Sequence, residues 1–397
     1  MNTDASSQTS GLVDENSSLL DKIKALEPQV RAAADSIEAN RCLPDELIDS
    51  LRATGLFRAT WPKLLDGLEL DPMTQIEALE ELSRYDGSVG WIGTFAAIGG
   101  LSVATLDPES VKELFPTPDV VPAGQYALVG RAERVEGGYR VNGKWSFGSG
   151  CRHAGVITGG CIVTENDEPV MDDNGLPEPL TIYIPKEEAN INLDTWHVAG
   201  MRGTGSHDYT LTDHFVPAKH TSDSRYRARR DEPLYSFPAL FLFSHLPMPL
   251  GIARAALDYV YQLGDTKRTL PAGRLLKENG DAHEVVAKAE AALRSARAWA
   301  FEVMGDIWDT QCRGEQLTSA QRAMFRLCLV HVTRTAKEVV TQVHDIAASS
   351  AIQQNSPIDR LMRDIQVVCA HVVVQPKMYR PAGKVLFGLE VKNDPFF

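Results

Sequence analysis

The chain has 397 residues, enough for two or three subdomains around a sizeable core. Its 40 basic residues against 53 acidic ones leave a formal charge of -13, which disfavours nucleic acid and anionic membrane surfaces and favours a small-molecule partner. Hydrophobic residues make up 43%, ordinary for a soluble globular protein, and no apolar stretch is expected to approach a membrane span, so a cytoplasmic location is expected.

Residues 1–17, rich in Ser, Thr, Asp and Asn, read as a disordered tail. From 18 to 122 apolar residues recur at helical spacing, as in Leu19, Ile23 and Leu26, and define an N-terminal helical domain. Within it the small, apolar run at 86–106 reads as a helix buried on all sides, serving core packing or lining a pocket. Three prolines, Pro116, Pro118 and Pro122, mark a break.

Residues 123–221 change to short alternating runs separated by Gly, Pro, Asn and Asp, which predicts an antiparallel β-subdomain, a barrel or sandwich. In the run GYRVNGKWSFGSGCRHA at 138–154, Gly137-Gly138 turns the chain and Asn142-Gly143 is a two-residue hairpin signal. Period-two alternation then places Trp145, Phe147 and Ser149 on one face of the next strand, a surface suited to a flat heteroaromatic cofactor. The segment GMRGTGSHD at 200–208 combines three glycines with donors at Arg202, Thr204 and Ser206, and reads either as a phosphate or ribityl contact or as a tight turn between strands.

A charged stretch at 222–236 reads as a linker or intersubunit loop, and 237–397 as a C-terminal four-helix bundle, including helices over 281–313 and 318–349, the latter capped by Thr318. Helices of about 30 residues span about 45 Å, longer than a compact monomer of this size usually buries, which favours an oligomer. Six cysteines without a C-x-x-C pair read as reduced thiols, and ten histidines without an H-E-x-x-H offer no dedicated metal site.

Three segments, DGSVGW at 86–91, GKWSFGSGCRHA at 143–154 and WHVAGMRGTGSHDYTLTDHFVP at 196–217, together resemble the acyl-CoA dehydrogenase superfamily, and specifically its flavin-dependent monooxygenase branch. The resemblance covers about residues 19–397 and implies an α+β fold: N-terminal helices, a central β-subdomain and a C-terminal four-helix bundle, assembled as a homotetramer. Dehydrogenases of the superfamily use a carboxylate base in a Tyr-Glu-Gly-Thr loop or on the first bundle helix. Here the first region offers only Glu390 and the second carries Arg254, so α,β-dehydrogenation is disfavoured. The run RLMRDIQVVCAH at 360–371 instead resembles the Arg-Asp…His segment of the monooxygenases, which implies that His371 faces flavin and substrate. On a helix Asp364 and His371 would share a face about 10 Å apart. A histidine near its ordinary pKa of about 6.5 is useful for taking a proton from a phenol or indole.

The resemblance further implies the oxygenase component of a two-component aromatic hydroxylase, with reduced FMN or FAD delivered by a separate NAD(P)H:flavin reductase and molecular oxygen as co-substrate. A C4a-hydroperoxyflavin would transfer oxygen to an indole- or phenol-like ring, which requires a dry, apolar pocket. No nicotinamide fingerprint is present. Within that frame His371 and Ser149 are the catalytic candidates; Trp145, Ser146, Phe147, Ser149, Arg202, Thr204, Gly205 and Ser206 the flavin-binding ones; and Trp91, Phe95 and Ile98 the substrate-binding ones. The alternatives are a dehydrogenase with an unrecognised base, an N- or S-oxygenase of the same branch, and a non-catalytic flavin-binding scaffold.

Overall fold

The computed structural model describes residues 18–172, 175–223, 228–271, 273–354 and 356–391. The tail expected at 1–17, and residues 224–227 of the expected linker, lie outside them.

Seven helices open the chain: α1 (Leu19–Ala25), α2 (Glu27–Asn40), α3 (Asp45–Ala53), α4 (Pro72–Tyr85), α5 (Gly87–Ala97), α6 (Gly99–Val103) and α7 (Pro108–Leu114). Side chains of Ser18, Asp71, Asp86 and Asp107 cap α1, α4, α5 and α7 by accepting from first-turn amides. The run expected to be one buried helix is two, α5 and α6, broken at Ile98. The cause is a close approach: a Cβ on Gly100 would lie 2.4 Å from the Thr60 backbone, and the Thr60 hydroxyl donates to Ala97 O at 2.6 Å.

The central sheet contains β1 (Pro122–Val135), β2 (Gly138–Gly148), β3 (Val156–Glu165), β4 (Glu168–Pro169), β5 (Pro179–Pro185), β6 (Asn190–Asn192), β7 (His207–Pro217) and β8 (Thr221–Ser222). Its order is β6-β7-β2-β1-β3-β5-β8, with β4 beside β3. Because β1 and β3 run parallel, the sheet is mixed rather than antiparallel. Asn142-Gly143 is not a hairpin: β2 runs through it, and the bulge there belongs to β7, where Thr212 and Asp213 stand opposite Asn142 alone and Asn142 Oδ1 accepts the Asp213 amide. The β1–β2 turn falls instead at Gly137, whose φ is +78°.

The C-terminal helices are α8 (Pro247–Gly264), α9 (Gly280–Cys312), α10 (Ser319–Ala347), α11 (Pro357–Ala370) and α12 (Tyr379–Leu386). Thr318 and Gln321 form a capping box at the start of α10, which packs on α8, α9, α11 and α12. Contrary to the sequence expectation, Pro238–Gly264 is long and apolar enough to cross a membrane, but 83% of its apolar window is buried inside the fold. It is the core helix of the bundle, and α4 of the N-terminal helices packs along it. Arg84 to Asp258 at 2.6 Å and Arg297 to Glu80 at 2.8 Å fasten that junction.

Candidate active site

Three parts of the fold meet beside α5. Asp86 caps α5 by accepting the Val89 amide at 3.0 Å, which sets the start of the helix and therefore the position of Trp91. The Trp91 indole N–H donates to Ser149 Oγ at 3.0 Å. Ser149 Oγ is 2.7 Å from Ser206 Oγ, which is 2.7 Å from Thr204 Oγ1, and that hydroxyl donates to Met201 O at 2.8 Å. A line of hydroxyls thus joins α5, the end of β2 and the glycine-rich loop.

On its other side the Trp91 ring meets Phe95 at 4.9 Å, His371 at 5.7 Å and His245 at 5.8 Å between centroids, all edge to face. His371 is not within α11 but at its C-cap, where its amide donates to Val368 O. Burial pushes its imidazole down to about 4, so the ordinary histidine pKa expected from sequence does not hold. At neutral pH His371 is an uncharged ring, a hydrogen-bonding group and a weak base. Phe95 and Ile98 line an adjoining apolar cavity with Leu240, Phe241 and Tyr235, where Ser102 and Tyr126 hydroxyls, 2.7 Å apart, form a polar spot.

Trp145 does not lie on the cofactor surface expected for it. It is fully buried in the sheet, its N–H donates to Gly160 O at 2.9 Å, and its ring stacks on Tyr209 at 5.4 Å. A Cβ on Gly130, Gly143 or Gly159 would come within 3 Å of this ring, so the three glycines form its slot and no cofactor reaches it. Nor do Trp145, Phe147 and Ser149 share a face, because β2 bulges between Trp145 and Gly148. Phe147 adopts a left-handed φ of +65° and stands 61% exposed, edge-on to Trp196 at 6.2 Å. Ser146, within the bulge, is half-buried.

In the glycine-rich loop, Thr204 is buried with its hydroxyl held inside the loop, which makes it a loop-shaping residue rather than a direct cofactor donor. Gly205 takes a left-handed φ of +49° that lets the chain turn from Thr204 to Ser206. Arg202 is half-exposed, its Nε donating to Val198 O at 3.0 Å. The dehydrogenase base has no counterpart at Arg254, which pairs with Asp258 and Glu290.

Behind the site lies a carboxylate pair that sequence inspection does not join. Asp364 on α11 accepts the Met201 amide at 2.5 Å, and burial, together with the nearby Asp86, raises its pKa to about 7. Burial raises Asp86 as well. A raised carboxyl pKa adds stability that is fully present below the unfolded value near 3.9 and fades as pH rises through the folded one. The variant Asp364→Asn should therefore match the wild type near pH 4 and gain on it as pH rises through 7, by on the order of 2–4 kcal/mol in chemical denaturation. A pH-independent difference would contradict this.

Residues 14–113 match the family model for the acyl-CoA dehydrogenase N-terminal domain, and 244–376 the model for the C-terminal domain. The chain is 32% identical to an indole-3-acetate monooxygenase of Pseudomonas putida, over 90% of each protein. It is 30% identical to HsaA, the oxygenase subunit of a flavin-dependent monooxygenase of Mycobacterium tuberculosis, over 94% of this chain and 96% of that one. The chain belongs to the flavin-dependent monooxygenases of the acyl-CoA dehydrogenase family. The crystal structure of a 3-HSA hydroxylase from Rhodococcus superposes with a TM-score of 0.88 at 25% identity, covering 96% of this chain and all of that one. The monooxygenase assignment agrees with a site built from rings and hydroxyls, in which, among the described residues, no carboxylate hydrogen-bonds to Trp91, Ser149 or His371.

This monooxygenase also carries residues that fit a flavin. Phe147 is held out of its strand by a strained backbone two residues before Ser149, whose hydroxyl meets that of Ser206, and the buried Nδ1 of His371 has no hydrogen-bond partner among the described residues. Sequence reasoning missed His245. Its signal was a histidine that, with Ser244, interrupts the apolar run FLFSHLPMPL, a pattern shared with any core histidine.

Proposed function

We propose that the chain is the oxygenase component of a two-component system that hydroxylates a neutral, flat aromatic or heteroaromatic ring of indole type. The observation that carries this reading is the cluster of Trp91, Phe95, His245 and His371, uncharged rings packed edge to face beside the Ser149 hydroxyl. The named activity of the Pseudomonas putida relative supports the indole-type substrate.

Reduced flavin, when bound, supplies the two electrons that activate oxygen. Phe147, Ser146, Ser149, Ser206 and Arg202 are the residues placed to hold it, as FMN or FAD brought by a separate reductase. Ser149 presents a hydroxyl whose orientation is fixed from both sides by Trp91 and Ser206. The apolar cavity of Phe95 and Ile98 receives the substrate and excludes water, which keeps activated oxygen from being lost as hydrogen peroxide. His371, neutral at working pH, accepts a hydrogen bond from the substrate N–H or O–H and holds the ring electron-rich.

We read the assembly as a cytoplasmic homotetramer. Leu386 at 64% exposure, Phe387 at 86% and Leu389 at 59% form an apolar end after α12 that supports a subunit contact. The functional reading is tested by supplying chemically reduced FMN or FAD with ¹⁸O₂ and an indole panel in the absence of any reductase. One labelled oxygen in the product is expected.

A further inference from the structure

His245 ends the segment Pro238–His245 that leads into α8, and its ring is enclosed on all sides. Nδ1 lies 3.4 Å from Ser244 Oγ, the ring also makes a backbone hydrogen bond with Leu242 that favours its protonated form, and Nε2 is buried with no hydrogen-bond partner among the described residues. The neighbouring ring is His371, 4.6 Å away between centroids and tilted by 44°, and its Nδ1 is likewise buried and unpartnered. Buried ring nitrogens are ordinarily paired. Here two orphans sit on adjacent rings, one an acceptor and the other able to carry a proton. Ring radii shorten a 4.6 Å centroid separation to hydrogen-bonding range once the nitrogens turn towards each other.

We infer that His245 is a positioning residue whose Nε2 accepts the Nδ1–H of His371, fixing His371 in the tautomer that offers its Nε2 lone pair to the substrate. The tautomer of a histidine is set by the hydrogen bond its other nitrogen makes. The Arg326 guanidinium, which bears on His245 from α10, opposes protonation of that ring and so keeps it an acceptor. Trp91, in contact with both imidazoles, fixes the third side of the arrangement. This inference rests on the placing of His371 at the reacting centre.

The test uses the full chain without flavin, labelled with [¹⁵N]histidine, at pH 7.5, with the His371 resonances assigned by their loss in His371→Asn. In the wild type His371 is expected as a single tautomer, protonated at Nδ1. In His245→Phe, which keeps a ring but no acceptor, it should shift towards the Nε2-protonated form. In His245→Gln, whose amide oxygen reaches the place of Nε2, the Nδ1-protonated form should return. With reduced flavin and substrate, His245→Phe should give about 10-fold less product per flavin oxidised at unchanged substrate KM, and His245→Gln most of the wild-type yield.

A wild-type His371 protonated at Nε2, or a tautomer unaffected by His245→Phe, overturns the inference whatever the turnover. Because the resonances need no reaction, they separate this failure from that of the functional reading. If the wild type oxygenates no ring while the tautomers behave as expected, it is the functional reading that falls.

Discussion

Replacing His371 with alanine is expected to cut product formed per reduced flavin consumed by about 10²-fold or more, while oxidised flavin binds with little change. His371 sits at the C-cap of α11 against Trp91 and, among the described residues, makes no hydrogen bond to Ser149, Ser206 or Phe147. Removing its ring therefore leaves the Ser149, Ser206 and Phe147 surface intact but takes away the group that orients the substrate. Oxygen consumption should persist and be diverted to hydrogen peroxide. Product measured by chromatography, peroxide by a coupled assay and flavin affinity by fluorescence separate the effects. An unchanged ratio of product to peroxide would remove His371 from the chemistry. A parallel loss of flavin affinity would make it a binding residue instead.

The second large effect is on stability. Trp145→Ala should cost about 3–5 kcal/mol, because it empties a slot shaped by three glycines, removes the stack on Tyr209 and leaves Gly160 O without its donor. Denaturant unfolding of the flavin-free protein measures this directly. Trp145→Phe, which keeps most of the packing and loses only the N–H, should cost clearly less. Were Trp145 part of the cofactor surface, the alanine variant would keep its stability and lose flavin affinity.

The difference between Trp145 and Phe147 shows where the sequence stops being legible. Alternation along 138–154 identifies a strand, and Ser149 just beyond it bonds to Trp91. A bulge that sets Ser146 and Phe147 opposite Asp208 alone is invisible to that alternation, since one extra residue in a strand flips the facing of everything beyond it. The bulge turns Trp145 into the sheet and Phe147 out of it. Likewise the parallel pairing of β1 with β3 depends on which strands meet in space, whereas short alternating runs look the same in either direction. Helices were the more readable part: the capping box at Thr318 and Gln321 is a local signal, and α10 begins there.

Arg254, at a place where some dehydrogenases carry their base, was also legible, and the structure pairs it with Asp258 and Glu290. His245 was not. It lies 126 residues before His371 in the chain, and only the packing of α8 and α11 brings the two rings to 4.6 Å. The acidic pair of Asp86 and Asp364 was hidden for the same reason.

Insertion of oxygen into a neutral aromatic ring, with flavin reduced elsewhere, is the reaction proposed for this chain. The measurement that bears on it most directly is mass spectrometry of a single turnover: protein mixed anaerobically with chemically reduced FMN or FAD and an indole, then exposed to ¹⁸O₂. One ¹⁸O atom per product molecule is expected and none from labelled water, with NADH unable to replace reduced flavin. Unlabelled product, or no oxygenated product across the panel together with bleaching of bound flavin by an acyl-CoA without oxygen, would contradict it.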